Sequence, residues 1–362
     1  MGMQPGIKRV FRLAFTLCLG LAILEPMSAA NASLYQTNLQ LQLEPGNSVS
    51  YPGTGNAWYD ISGSSRVVTD TGTAATFTSG SPSYFTFNGS SSLFVGTNGG
   101  SGWGLGNDFT VAAWIKTTST GGGSDHWTLA PIVTAETAGL ANDWGFGINP
   151  SGKIAFGTGG SSDVTTPGST SVNTGSWVFV AATRVKSSTQ VKLYVNGIAD
   201  DTATLSNGSN ALTSQANLEI GSNTDTNPHF SGAMGGIYAY SSALSDAQVL
   251  QDYQATAGAY GYTAATSVTT ALATAPVYRI GDTITATLSP SGSDGYVSFL
   301  ANGKAIPGCK KVASSSGIAT CLWKPSTHTA STISARLTPG VSYFTSSSGS
   351  VTAFVKARAT TR

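Results

Sequence analysis

Residues 176–201 read SWVFVAATRVKSSTQVKLYVNGIADD, and few folds can accommodate that stretch. Two runs of period-two character, 177–184 and 190–195, are joined by the polar turn Lys186-Ser187-Ser188-Thr189. In the second run Val191, Leu193 and Val195 alternate with Lys192, Tyr194 and Asn196. That is the pattern of a strand with one face buried and one face wet. Asn196-Gly197 comes next, the dipeptide best suited to the positive-φ positions of a tight hairpin turn. A third run, 198–205, follows at once, so three consecutive antiparallel strands are expected at the centre of the protein.

The flanking sequence repeats this grammar. Residues 109–116, FTVAAWIK, form a strand pattern with Phe109, Val111, Ala113 and Ile115 on one face. Runs 84–89 and 93–95 look like a hairpin pair, and 144–148 and 153–156 flank the turn Asn149-Pro150-Ser151-Gly152. Further strands are expected at 218–221 and 230–240. About a dozen short strands without alternating helices mean a sandwich or barrel rather than a parallel sheet. The 44 glycines and a charged fraction of only 10% agree, since turn-formers punctuate the chain every ten residues or so. One helix stands apart: Ser245 caps it, Asp246 sits in its first turn, and Val249, Leu250 and Tyr253 fall at helical spacing. It is expected to lay that face on the sheet and close the domain.

These residues resemble a known family. Asp108 through Lys116 resembles the FTVSAWVK strand of laminin-G-like, concanavalin A-like jelly rolls, and Trp177 through Ala182 with Val191 through Gly197 is similar to their W..VA and LYVNG hairpin. Phe230 through Tyr240, followed by Ala243-Leu244-Ser245-Asp246, resembles their closing segment, and Tyr51-Pro52-Gly53 through Ser62-Gly63 their opening one. The resemblance spans about 39–253 at four places in order. It implies a concanavalin A-like jelly roll, a fold that hosts lectins, enzymes and adhesion modules alike. At one point the chain departs from the pattern: Gly235-Gly236 stands where relatives carry an acidic pair.

The organisation expected is therefore all-β. A signal peptide at 1–32 precedes a laminin-G-like jelly roll at 33–260, a linker at 261–266 and a smaller immunoglobulin-like β-sandwich at 267–362. The leader has a basic start (Lys8, Arg9, Arg12), an apolar stretch over 10–24 and a small-x-small site at Ala30-Asn31-Ala32, which predicts cleavage before Ser33. The apolar run is too short to span a bilayer comfortably, and no later run could anchor the mature chain. Residues 267–355 resemble bacterial immunoglobulin-like repeats, with strands expected at 282–288, 296–300, 318–323, 332–337 and 350–355 and a turn at Asn302-Gly303. Its two cysteines, Cys309 and Cys321, predict a disulfide in an oxidising compartment, contributing about 3 kcal/mol for so short a loop. A metal pair is the alternative, with only His328 near in sequence.

Removing the leader takes three basic residues and one acidic residue from a formal charge of +1, leaving −1. A near-neutral chain argues against nucleic acid or anionic membrane as the main partner. Catalysis is not expected either. Glycoside hydrolysis needs two carboxyl groups facing across a cleft, whereas Glu44, Glu136 and Glu219 lie far apart in sequence, and the adjacent Asp200-Asp201 would point to opposite faces of a strand. His126, His229 and His328 are isolated from one another, and no nucleophile elbow or phosphate loop occurs.

Binding is the remaining reading. Asp125 and Trp127 follow Gly121-Gly122-Gly123 in a segment expected to be flexible, and Asn142, Asp143, Asn223 and Asp225 offer further polar oxygens. Sugar sites combine a stacking aromatic with short amide or carboxylate side chains, and calcium, the one cofactor left open, takes several such oxygens. Trp114 and Trp177, inside strand patterns, are read as packing residues. The expected function is a secreted, non-catalytic recognition protein, extracellular, on the cell surface or periplasmic, that binds glycan or a protein surface. A self-assembling adhesive or structural subunit is the alternative, built on sheet edges. A hydrolase using Asp143 or Asp225 comes third.

Overall fold

The computed structural model describes residues 33–359 apart from 73–74, 91–93, 140, 215, 224–227, 291–292 and 341–342. The expected leader at 1–32, Leu93 and Asp225 therefore lie outside the described residues. Among the described residues no helix is long and apolar enough to cross a membrane.

The chain opens with β1 (Leu39–Leu43), β2 (Ala57–Tyr59), β3 (Val67–Asp70), β4 (Thr76–Thr78), β5 (Tyr84–Asn88) and β6 (Phe94–Gly96). Then come β7 (Phe109–Lys116), β8 (Ala130–Ala135), β9 (Trp144–Ile148), β10 (Lys153–Thr158) and β11 (Val164–Ser171). The central hairpins are β12 (Val178–Val185), β13 (Gln190–Val195) and β14 (Ile198–Thr204), followed by β15 (Leu218–Ile220), β16 (Ser231–Tyr240) and the helix α1 (Asp246–Thr256). One eight-stranded sheet runs β14-β13-β12-β7-β16-β5-β4, with β1 also paired to β16. The second runs β11-β10-β9-β8-β15-β6-β3-β2. Every pairing is antiparallel, and the two sheets close as a jelly-roll sandwich over Phe85, Phe94, Phe109, Trp144 and Phe156.

The expected hairpins form where the turn chemistry placed them. Asn196 (φ 51) and Gly197 (φ 78) occupy the left-handed positions between β13 and β14, and the Asn149 carboxamide accepts from Ser151 and Lys153 N–H between β9 and β10. Two expectations are corrected. The hairpin expected from 84–89 and 93–95 is replaced by a crossing: β5 belongs to the first sheet, while β6 pairs with β3 and β15 in the second. The connection crosses between layers, which alternation within each strand cannot reveal. Likewise the outer face of the central hairpin is only partly wet: Lys192 and Asn196 stay half-exposed, but Tyr194 does not. Tyr194, Phe179, Ala181 and Trp114 are all buried there, because α1 and the segments before β1 and after α1 lie across it.

That outer layer is tightly specified. Ser245 and Gln248 form a reciprocal capping box at the start of α1, and Val249 and Tyr253 face the sheet. The Trp114 ring stacks on Tyr260 at 4.1 Å between centroids, and its indole N–H donates to Thr256 Oγ1 at 2.9 Å. Trp177 is half-buried against Tyr84 and Tyr260, a packing residue as expected. The Gly235-Gly236 departure has a physical reason here. A Cβ on Gly235 would overlap the Tyr260 hydroxyl and one on Gly236 the Tyr238 hydroxyl, while Gly236 N–H donates to Tyr260 Oη at 2.7 Å.

The remaining strands are β17 (Ser267–Leu272), β18 (Asp282–Ser289), β19 (Gly295–Ala301), β20 (Lys304–Ala305), β21 (Val312–Ala313), β22 (Ile318–Trp323), β23 (Ser331–Pro339) and β24 (Ser347–Ala353). A three-stranded sheet β17-β18-β22 packs on a five-stranded one carrying β20-β19-β23-β24 and β21. Together they enclose a second core around Ile284, Phe299, Trp323 and Ile333, with Cys309 and Cys321 joined inside it. Residues 261–266 are tied down on both sides. Tyr262 donates its hydroxyl to the Trp177 carbonyl, Ala264 pairs with Phe344, and Tyr253 meets Tyr343 at 5.5 Å between ring centroids.

Candidate functional site

Four segments converge at one end of the second jelly-roll sheet. These are the turn His126-Trp127-Thr128, the chain leaving β8, the residue before β9 and the loop between β10 and β11. The turn is positioned by glycine. Gly145 on β9 and Gly157 on β10 are directly opposite each other in the sheet. A Cβ on Gly145 would come within 2.7 Å of the His126 carbonyl oxygen, and one on Gly157 within 2.6 Å of the His126 Cβ. This bare patch of sheet is the seat of the histidine. The preceding glycines also serve close approach: Gly121 N–H bonds the Asn149 carbonyl, Gly123 N–H bonds the Thr128 carbonyl, and a Cβ on Gly121 would overlap the Ile148 carbonyl. The segment is held in place rather than loose.

His126 and Asp143 form the base of the site. His126 Nε2 lies 3.3 Å from Asp143 Oδ1, and the two side chains are only 1% and 2% exposed. Asp143 Oδ2 accepts the Thr137 backbone N–H at 2.8 Å, and the His126 backbone N–H donates to Thr165 Oγ1 at 2.8 Å. Buried charge demands such partners. Above this base lies a pocket of about 270 Å³ lined by His126, Trp127, Glu136, Asp143, Asp163 and the Ala138-Gly139 turn. Trp127 is half-buried and donates its indole N–H to Asp163 Oδ2 at 3.1 Å. Glu136 Oε2 accepts from the buried Asn223 amide at 2.8 Å, and the same amide reaches the Trp127 carbonyl at 3.4 Å.

Of the six residues read from the sequence, three meet here: Trp127 and Asp143 line the pocket, and Asn223 braces Glu136. Asp125 is exposed and contributes its carbonyl, which accepts from Thr128, rather than a carboxylate in the pocket wall. Asn142 is exposed beside Asp143, with its carbonyl accepting the Ser214 N–H. Asp225 lies outside the described residues. Sequence reasoning passed over His126, Glu136 and Asp163, which are 10 to 37 residues apart and converge only through the β8-β9-β10-β11 meander. The one local signal was the strand glycines, in GFG of β9 and FGTG of β10. Asp200, the first of the adjacent aspartates, instead ties the sheet edges together by accepting from Ser169 and Thr170 N–H.

Among the described residues no three His, Cys, Asp or Glu side chains are arranged to hold a metal ion. A larger hollow of about 650 Å³ is lined by Gln42, Glu44, Asn47, Ser83 and Tyr260. Glu44 there accepts the Tyr238 hydroxyl at 2.6 Å, and burial pushes its carboxyl up to about 7.

Comparison with known proteins places the jelly roll. Residues 88–250 match the family model of the concanavalin A-like lectin/glucanases superfamily. No curated protein matches the chain. Among solved structures, the chain is similar to the binding domain of Paraclostridial Mosquitocidal Protein 1, at 13% identity and TM-score 0.47, over 84% of this chain and 85% of that one. It is similar to domain 4 of AbnA, an extracellular arabinanase from Geobacillus stearothermophilus solved with arabinotriose, at 18% identity and TM-score 0.44, over 60% and 100%. The botulinum neurotoxin serotype D/C binding domain gives 11% identity and TM-score 0.47, over 84% and 86%. These likenesses are distant, and the functional reading rests on this chain's own residues.

Proposed function

We propose that the protein is a non-catalytic recognition protein that binds a saccharide in the pocket at Trp127. The observation that carries this reading is the combination in one 270 Å³ space of a partly exposed indole and several fixed polar groups, on a domain matching the lectin/glucanase superfamily. An indole face packs against the apolar C–H face of a sugar ring, while carboxylates accept its hydroxyls. The side chains are preorganised: Asp163 is fixed by the indole N–H, Glu136 by Asn223, and Asp143 by Thr137 and His126. Ordering entropy is thereby spent in folding rather than in binding. The leader expected at 1–32 fits export to a glycan-bearing surface, and the second sandwich is read as an immunoglobulin-like spacer that meets the jelly roll at the Tyr253–Tyr343 contact.

A second reading is favoured by one observation. Glu136, Asp143 and Asp163, far apart in sequence, line the same pocket, and glycoside hydrolysis uses two facing carboxyl groups. A glycan array probed with the wild-type chain and with Trp127→Ala, beside a reducing-sugar assay on the same glycans, separates the two. Binding lost in the variant without any release of sugar supports recognition. Turnover abolished by Asp143→Asn would establish the hydrolase, and a blank array with no turnover would remove both readings.

A further inference from the structure

Formal charge is divided unevenly along the chain. Residues 33–260 carry six lysines and arginines against fourteen aspartates and glutamates, a net −8, whereas residues 267–362 carry nine against two, a net +7. The near-neutral total hides this polarity. Both acidic residues of the second sandwich are buried: Asp282 accepts from the Thr274 hydroxyl and Asp294 from the Gly317 N–H. Its surface is therefore cationic, and among the described residues no carboxylate pairs with any of its lysines or arginines. That charge borders a cleft of about 510 Å³. One wall is the β19–β20 turn and the chain after it, 301–307, and the other is the end of β22 and the chain after it, 322–331. The disulfide joins the two walls at their roots, since Cys309 closely follows the first and Cys321 directly precedes the second. Each wall supplies one exposed lysine, Lys304 and Lys324, and the lining adds Asn302, Ser326, Thr327 and the exposed Leu322, with no carboxylate among the described residues. Two ammonium groups in one cleft repel each other, and a concave surface of one sign focuses its field on a counter-ion.

We infer that this cleft is a second binding site and that its ligand is an acidic saccharide, a sugar chain bearing carboxylates. A sugar carboxylate between Lys304 and Lys324 supplies the anion that the lining lacks, and each lysine meets it as a compact point charge. The sugar hydroxyls match the Asn302 amide and the Ser326 and Thr327 hydroxyls, while Leu322 offers apolar surface to the ring C–H groups. The disulfide holds the walls together in the unbound chain, so little ordering is left to binding. Other polyanions fit this lining less well. Single-stranded nucleic acid is held by stacking on aromatic faces, and the aromatic ring of this lining, Trp323, is buried. An acidic peptide brings the charge without the ring of hydroxyls. The site lies on the other sandwich from Trp127, and its test does not depend on the reading of that pocket.

The test is calorimetric titration of the full chain at neutral pH with tetragalacturonate, its methyl ester, a tetraglutamate peptide and a short oligo(dT), each at low and at moderate salt. The expected result is tetragalacturonate binding about tenfold or more tighter than the other three, weakening as salt rises, and losing about tenfold or more in the double variant Lys304→Gln, Lys324→Gln. Both lysines are exposed, so the melting temperature of that variant should match the wild type, and Trp127→Ala should leave this binding intact. Equal binding of the methyl ester would show that charge is not read and would overturn the inference. Tetraglutamate or oligo(dT) binding as tightly as tetragalacturonate would keep a cationic site but remove the saccharide from it. Affinity unchanged in the double variant, or lost in Trp127→Ala, would overturn the location, and no binding of tetragalacturonate would overturn the inference outright.

Discussion

Two places in the jelly roll hold buried carboxyl groups, and they are built on opposite principles. At the pocket, Asp143 is matched by an imidazole and a backbone N–H, and its neighbours Glu136 and Asp163 meet an amide and an indole N–H. Beneath α1 the partners are phenols: Tyr238 donates to Glu44 at 2.6 Å and Tyr240 to Asp252 at 2.7 Å, with the Tyr35 amide also on Asp252. Neither Glu44 nor Asp252 is paired with a cation in either set of contacts, and burial pushes both carboxyls up to about 7. The first arrangement keeps carboxylates at an open wall where a ligand can meet them. The second uses them to lock a helix and the first strand onto the sheet. A buried carboxyl is therefore no guide to a site; Glu44 also borders a hollow, so it is the partners of the carboxyl groups that set the two places apart.

The contrast is most strongly broken at Gly236. Gly236→Ala drives a methyl into the Tyr238 hydroxyl and disturbs its bond to Glu44, so a loss of about 3 kcal/mol is expected in urea unfolding. Saccharide binding at the distant pocket should survive wherever the chain remains folded.

The tyrosine-bonded pair also sets a pH signature. With folded values near 7 against about 4 unfolded, Glu44 and Asp252 keep protons in the native state that the unfolded chain has released. Their contribution is fully present below about pH 4 and is lost as pH rises to about 7. Stability should fall across that window, by up to about 4 kcal/mol per group and with a matching drop in melting temperature, and the double variant Glu44→Gln, Asp252→Asn should flatten the profile. A profile unchanged by the double variant would place the titration elsewhere.

Asp143→Ala acts on the other side of the comparison. It leaves the Thr137 amide and the His126 imidazole without their acceptor in a buried place, which costs about 2 kcal/mol by denaturation, and it abolishes binding. A smaller effect is expected for Trp127→Phe, which keeps a ring but removes the donor to Asp163. Affinity should drop a fewfold while stability stays within about 0.5 kcal/mol, as for substitutions away from the core.

Much of this architecture was legible along the chain. The alternation of β7, the Asn196-Gly197 turn and the Ser245 cap are local signals, and each element formed where its residues pointed. What escaped was whatever depends on layers meeting. Tyr194 reads as a wet position because alternation reports only one strand, yet α1 covers it and Asp246 accepts its hydroxyl at 2.8 Å. The site was half legible for the same reason. Trp127 and Asp143 stand beside turn signals, but Glu136 and Asp163 reach them only through the pairing of four strands. His126 looked isolated because its partner is 17 residues away and its seat is made by two glycines on different strands.

The central claim is that a saccharide occupies the pocket against Trp127. Calorimetric titration of the wild-type chain and of Trp127→Ala with the strongest glycan from the array tests it directly. A single saturable site weakened at least tenfold in the variant, at unchanged melting temperature, is the predicted result. Equal affinity in the two proteins would contradict it.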